Sequence, residues 1–445
     1  MRKYESIGVA VPQVLLPKPG SDLTKWAVVA CDQYTSQPAY WHKVEQIVGD
    51  SPSSLKLVYP EVYLGEANAD ARIARIRSTM DAYLRAGMFV EHEGIIYVER
   101  QTAGKTRRGL VLCVDLERYD YRKGSASLIR ATEGTVVERL PPRIKIRQGA
   151  ALELPHIMVL IDDPDDTVIG PIAASKPCHR KLYDFDLMMA SGHLSGWLVQ
   201  ERDVEGRVVA ALEALGNPEA FTKRYGLNSD EPVLLYAMGD GNHSLATAKA
   251  IWERNKEQAI DHDAIMNSAV RYALVELVNL HDEALVFEPI HRVVFDIATG
   301  HDLLGQMKEA FGSRLTVQPL ASLDAMKASV LQSTATRQRI GLLHEAGYSV
   351  LELTRPDSNL PVGSLQAFLD AFMKDKKARE IDYVHGTSSV DDLGRTPGNM
   401  GFFLPAMNKH DLFKTVIVDG TLPRKTFSMG EAEEKRFYVE CRRLS

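Results

Sequence analysis

The stretch from Val233 to Lys249 constrains this chain more than any other. Val233-Leu234-Leu235-Tyr236-Ala237-Met238 is an apolar run long enough for one buried strand. Gly239 and Gly241 then allow a sharp turn through backbone angles closed to other residues. Beyond the turn, Leu245, Ala248 and Trp252 recur at helical spacing, so a helix with one buried face follows. Strand, glycine turn and helix start bring unpaired N–H groups and the positive end of the helix dipole to one place. Such a place favours an anion, commonly a phosphate.

Asp240 sits inside that turn, and its carboxylate repels a bare phosphate. The conflict resolves if a metal ion lies between them, or if Asp240 takes a proton from a substrate hydroxyl. The alternative is that Asp240 or Asn242 caps the helix. His243 reads more often as a hydrogen-bonded structural residue than as a catalytic one.

At 445 residues the chain has room for two or three domains. A formal charge of −6 argues against an extensive nucleic-acid surface. Cys31, Cys113, Cys178 and Cys441 form no C-x-x-C pair, which disfavours a structural zinc site and suits reduced thiols in the cytoplasm. The first residues do not read as a signal peptide. No stretch approaches the roughly 20 apolar residues that span a bilayer. The expectation is a soluble cytoplasmic protein acting on a small molecule, with no membrane partner. A homodimer is left open.

Along the chain, two strands are expected at 7–16 and 26–31, then the polar loop Asp32-Gln33-Tyr34-Thr35-Ser36. Pro38 opens a helix. A long amphipathic helix follows at 69–88, then adjacent strands at 94–101 and 110–116. The basic loop Lys105-Thr106-Arg107-Arg108 between them reads as solvated. Arg130, Arg139, Arg143, Lys145 and Arg147 surround the carboxylate Glu133, a composition that suits an anion held by arginine forks or a solvated face. A hairpin is expected over 182–200 and strands at 271–278 and 287–295. The last carries His291-Arg292 beside Pro289, which suggests an edge or strand start. Arg424, Lys425 and Ser428 form a second phosphate-contacting candidate group. The texture changes near Gly300, and the expected organisation is an α+β main body over 1–298 with a mixed sheet, followed by a smaller α/β portion over 299–445.

Several blocks carry a family resemblance: Ala30 to Pro38, Tyr183 to Met189, Gly239 to Ser244, Glu288 to Arg292, and the tail from Arg424 to Arg436. Together they resemble the bacterial and archaeal family called domain of unknown function 1015, nearly end to end. The Asp-Gly-x-His turn also resembles, more remotely, a motif of the ParB/sulfiredoxin superfamily, whose members include free serine kinases using ADP or ATP. There the usual reading is Asp-Gly-His-His-Arg. This chain keeps Asp240, Gly241 and His243 but has Asn242 for the first His and Ser244 for the Arg. Losing that arginine removes a fixed fork for phosphate, with Arg292 and Lys249 as candidate substitutes.

The resemblance implies a ParB/sulfiredoxin-like arrangement around the turn, and a nucleotide-dependent small-molecule kinase acting on a serine-like hydroxyl. ATP or ADP with Mg²⁺ would be the cofactors. Gly239, Gly241, Asn242 and Ser244 would hold phosphates, with His291, Arg292, Arg143, Arg424 and Lys425 neutralising charge. Asp240 or Glu133 would orient the acceptor, Asp240 would also hold Mg²⁺, and His243 would contact a phosphate oxygen or the acceptor. The alternative is a regulatory protein that binds a nucleotide or phosphometabolite without chemistry.

Overall fold

The computed structural model describes residues 1–135, 137–228, 230–300 and 302–444. The chain divides into two compact units. The first comprises Met1–Val286, Leu412–Thr421 and Gly430–Ser445; the second comprises Phe287–Asp411 and Leu422–Met429.

The first unit is built on a mixed sheet. Its strands are β1 (Ile95–Thr102), β2 (Lys105–Asp115), β3 (Tyr119–Asp120), β4 (Ile129–Arg130), β5 (Met158–Ile161), β6 (Arg180–Asp186), β7 (His193–Val199), β8 (Tyr236–Asp240) and β9 (Tyr272–Asn279). They lie in the order β6-β7-β1-β2-β9-β5-β8-β4-β3, and the short strand Val9–Val11 also pairs with β2. The pairs β5–β9, β4–β8 and β3–β4 are parallel and the rest antiparallel.

Alternation along the central strands explains why both faces are covered. Ile96, Val98, Val111, Cys113 and Leu274 point to one face, where Trp26 and Trp41 join them. There α1 (Pro38–Val48) and α2 (Ala69–Arg85) contribute Val44, Ile73, Ile76 and Met80. Ile95, Tyr97, Leu110, Leu112, Val114 and Leu277 point the other way. Val208 and Leu212 of one helix (Arg202–Leu215) cover them, with Leu245, Ala248 and Trp252 of another, α3 (Asn242–Gln258). Each large apolar side chain buried in this way stabilises the fold by about 1.5–3 kcal/mol.

Several sequence expectations shift in detail. Pro12 interrupts the first expected strand, leaving Val9–Val11 and Gln13–Pro17. The expected strand at 26–31 is a short helix, Leu23–Trp26, followed by Val28–Val29. The basic loop 105–108 is not solvated as a whole. Arg107 lies on the extended strand β2, and the period of two turns it toward the same covered face as Val111 and Cys113, where it is buried.

The second unit has its own sheet, formed by β10 (Phe287–Ile297), β11 (Leu315–Leu320), β12 (Arg337–His344), β13 (Gly347–Thr354), β14 (Ala378–His385) and β15 (Met400–Phe403). The order is β11-β13-β12-β15-β10-β14, with Phe427–Met429 also pairing with β10. A helix over Pro361–Lys374 covers one face through Leu365, Leu369 and Phe372. Pro289 pairs with Phe427, near the start of β10. The fold as a whole is α+β.

Candidate functional site

The turn after β8 takes the form its glycines require. β5 and β8 run antiparallel with Met158 opposite Asp240 and Val159 opposite Met238, so Gly239 is an extra residue in the ladder. Such a bulge bends the strand and re-aims the residue after it. Gly241 follows with φ +79°, in the left-handed region. A Cβ there would also lie 3.0 Å from the Ile157 Cα.

Gly241 is the N-cap of α3, and no side chain caps it. Neither Asp240 nor Asn242 therefore serves as the side-chain cap that the sequence left open. The Asp240 Oδ1 instead accepts from the adjacent Gly241 N–H at 2.9 Å. The Asn242 Oδ1 is buried with no hydrogen-bond partner. His243 and Ser244 lie half-buried on the first turn. β4 runs parallel to β8, and the Thr132 Oγ donates to the Met238 carbonyl at 2.8 Å. Glu133 is the next residue, so it lies beside the end of β8.

Two residues that sequence reasoning did not single out stand at this place. The Lys435 Nζ lies 3.2 Å from the Asp240 Oδ2, and its side chain is only 8% exposed. His156 leads into β5, and its Nε2 lies 3.8 Å from the Asp32 Oδ2. The His156 Nδ1 is 2.7 Å from the Tyr438 hydroxyl, which also accepts from the Cys31 N–H at 3.1 Å. Tyr438 is buried, and both the Cys31 thiol and the His156 Nδ1 lie within hydrogen-bonding reach of its hydroxyl. Burial pushes the Asp32 carboxyl up, but His156, the Gln33 amide and Lys435 outweigh it and hold it below the ordinary range.

Arg143 lies on a helix (Leu140–Arg147) packed against α3. Its guanidinium forks onto the Glu61 carboxylate and donates to the Arg139 carbonyl. The Glu61 N–H donates to the Cys31 carbonyl at 2.7 Å, which ties this pair to the Asp32 loop. Burial pushes the Glu61 carboxyl above its usual range; Arg143 opposes this and the Asp32 charge adds to it. Lys249 points elsewhere, bonding the Leu116 carbonyl and Glu253.

The remaining sequence candidates belong to the second unit. Arg292 is fully buried and donates to Gln366 and to the carbonyls of Ile290 and Arg424. The His291 Nδ1 accepts from the Leu404 N–H, and its ring stacks on Phe403. Burial and the Arg292 charge push its pKa down to about 4. Arg424 bonds Tyr383 and Asp370, and Lys425 is exposed with φ +56°. The first unit thus brings together Asp240, Gly241, Asn242, His243, Ser244 and Glu133, and adds Lys435, His156 and Asp32. The signal for Lys435 lay only in its place within the 424–436 block, since no spacing rule links it to the turn. A hollow of about 560 Å³ lined by Arg2, His92, Arg180 and Glu201 includes none of these residues.

A family described as "Protein of unknown function (DUF1015)" matches residues 15–372. The chain belongs to this family. No curated protein matches it. Among solved structures, this DUF1015 chain is similar to free serine kinase in complex with AMP, with a TM-score of 0.39 and 11% identity, over 75% of this chain and 92% of that one. A mutant of free serine kinase in complex with ADP gives 0.39 and 11%, over 78% and 95%. A conserved hypothetical protein from Pyrococcus furiosus gives 0.35 and 11%, over 74% and 90%. At these scores any functional argument rests on the site's own geometry. No helix among the described residues is long and apolar enough to cross a membrane.

Proposed function

We propose that this DUF1015 protein binds a phosphorylated small molecule, in the first place a nucleotide such as ADP or ATP, at the Gly239–Ser244 turn, and transfers a phosphoryl group to a hydroxyl acceptor. The observation that carries this reading is the start of α3. A left-handed glycine cap leaves the first-turn N–H groups without a side-chain cap, and a buried lysine and an aspartate stand beside them. Helix N–H groups and an ammonium together suit phosphate oxygens.

Phosphoryl transfer asks the protein for positioning and charge neutralisation more than for covalent chemistry. The first-turn N–H groups and Lys435 hold phosphate oxygens. The Asp240 Oδ2 accepts the proton of the acceptor hydroxyl once Lys435 shifts toward the phosphate. Glu133 and the Asn242 Oδ1 orient the acceptor, and His243 contacts it or a phosphate oxygen. The His156–Tyr438 pair stands beside Asp32 and helps fix its loop. No group of three or more His, Cys, Asp or Glu among the described residues forms a metal cage. A Mg²⁺ ion would therefore take Asp240 as its protein ligand, with phosphate and water filling the shell. Arg143, Arg292 and Arg424 are engaged with protein partners outside the turn, whereas Lys435, paired with Asp240, stands at the turn itself and would carry the charge neutralisation there.

The second reading is a regulatory protein that binds the same ligand without chemistry. Ser244, in place of the arginine of the related motif, favours it. A thermal-shift screen of ADP, ATP and phosphorylated metabolites, with and without Mg²⁺, tests the shared binding step, because a ligand of the folded state raises the melting temperature. No shift with any of them would overturn both readings. A nucleotide shift without phosphoryl transfer to serine or related hydroxyl compounds would leave the regulatory one.

A further inference from the structure

One group of buried charges takes no direct part in that site. Arg100 on β1, Arg107 on β2 and Glu276 on β9 are all buried on the sheet face that carries Val98, Val111 and Leu274. The apolar alternation of three neighbouring strands is broken there by charge. Gly109 provides the room: a Cβ on it would lie 2.7 Å from the Glu276 Oε1. Across this face runs the tail segment 433–440. Arg100 donates to the Glu433 carbonyl at 2.7 Å, and Arg107 to the Glu434 carbonyl at 3.1 Å. Arg436 donates to the Pro155 carbonyl at 3.0 Å and pairs with both Glu276 and Glu440. Glu440 accepts in turn from the Tyr183 hydroxyl. Tyr183 packs into the space left by Gly196, whose Cβ would fall 2.2 Å from its ring. Burial and the neighbouring Arg107 pull the Arg100 guanidinium down to about 9.

Burying so many charges is costly and, as a source of stability, often no better than an apolar core. What the network achieves is placement. It clamps the backbone on both sides of Lys435 and so sets the ammonium against Asp240, while Tyr438, three residues on, reaches His156. Resting on the anion-binding reading of the turn, we propose that Lys435 is the cation that binds the ligand's phosphate in place of the missing arginine. Arg100, Arg107, Glu276, Arg436 and Glu440 are the positioning residues that hold it there. An ammonium needs such help, because its flexible stem lacks the preorganised fork of arginine.

Calorimetric titration of the full chain with ADP and with inorganic pyrophosphate, with a chelator present, tests this. Lys435→Met is expected to weaken both by about tenfold or more, the usual worth of a charged hydrogen bond, and Lys435→Arg to restore most of the affinity. Glu440→Gln keeps shape but loosens the grip on Arg436. It is expected to weaken both probes severalfold and to speed amide hydrogen exchange over 433–436. Should Lys435→Met fail to fold, Lys435→Gln, which keeps a polar head on a similar stem, gives the same comparison. Wild type that binds the probes while Lys435→Met binds them equally well would overturn the role of Lys435 and leave the anion site standing. Lys435→Arg as weak as Lys435→Met, or unchanged affinity in Glu440→Gln, would overturn the charge and the positioning arguments respectively. Wild type that binds neither probe would overturn the proposal and the reading beneath it together.

Discussion

Replacing Gly241 by alanine separates two costs that the turn combines. The first is conformational. Gly241 has φ +79°, and a left-handed conformation costs an L-residue about 1–2 kcal/mol. The second is steric. The new Cβ would lie 3.0 Å from the Ile157 Cα and 3.1 Å from its Cγ1, and the first of these is backbone of the residue that leads into β5. Forcing a few tenths of an ångström there adds about 1 kcal/mol. Gly226 offers an internal control. It is also left-handed, at φ +66°, but has nothing within 4 Å of a built Cβ. Both glycines belong to the first unit, so urea denaturation followed by tryptophan fluorescence compares them within one transition. Trp26, Trp41, Trp197 and Trp252 all report on that unit. Gly226→Ala is expected to cost about 1–2 kcal/mol and Gly241→Ala about 2–3 kcal/mol. Gly241→Ala no worse than Gly226→Ala would refute the claim that the turn is wedged against β5.

Asp240→Asn removes the charge facing both Lys435 and the ligand phosphates. Stability should fall by about 1–3 kcal/mol, because a buried ammonium loses its counter-charge. Metal-free nucleotide affinity should stay level or rise, and Mg²⁺-dependent affinity or turnover should fall, by about a hundredfold if Asp240 is the base. Binding measured with Mg²⁺ and with a chelator reads the sign, and identical behaviour of the two proteins would remove the proposed chemistry. For the second unit, the pKa of His291 is about 4 in the fold against roughly 6.5 unfolded. The neutral ring therefore contributes its full stability above pH 6.5, and this is lost as pH falls from 6.5 through 4, by up to about 3 kcal/mol. Melting curves of wild type and His291→Gln between pH 7 and 4 should differ in slope over that window, and parallel curves would refute the assignment.

Much of this was legible because local rules and tertiary fate agree. Val233 to Trp252 announces strand, turn and helix, although the strand is Tyr236–Asp240 and takes in two residues expected in the turn, and the helix Pro38–Val48 starts at its proline. The candidate site was legible only on one side. Lys435, His156 and Asp32 come from three distant segments, and no period or spacing rule ties them to the turn. Arg107 was misleading for a related reason. Four polar residues in a row read as a solvated loop, whereas the strand's alternation turns one of them inward to a carboxylate that is remote in sequence. Arg292 misled in the opposite sense: a strand arginine beside a histidine reads as a ligand contact, but it is fully buried and bonds Gln366 and two backbone carbonyls.

The return of residues 430–445 to the first unit bears on how the chain is made. Synthesis proceeds from the N-terminus, so the ribosome completes the sheet of the first unit and then all of the second before the last segment exists. Until then the face that carries Arg100, Arg107 and Glu276 lacks Arg436, and Trp26 lacks the Val439 carbonyl to which its indole donates. The first unit therefore waits, partly open, for a segment made only after the whole of the second unit. Its final closure is a long-range step of the kind that folds slowly and exposes unfinished surface meanwhile. A nascent chain stalled before residue 430 should remain protease-sensitive around the Asp32 loop, and emergence of residues 430–444 should close it.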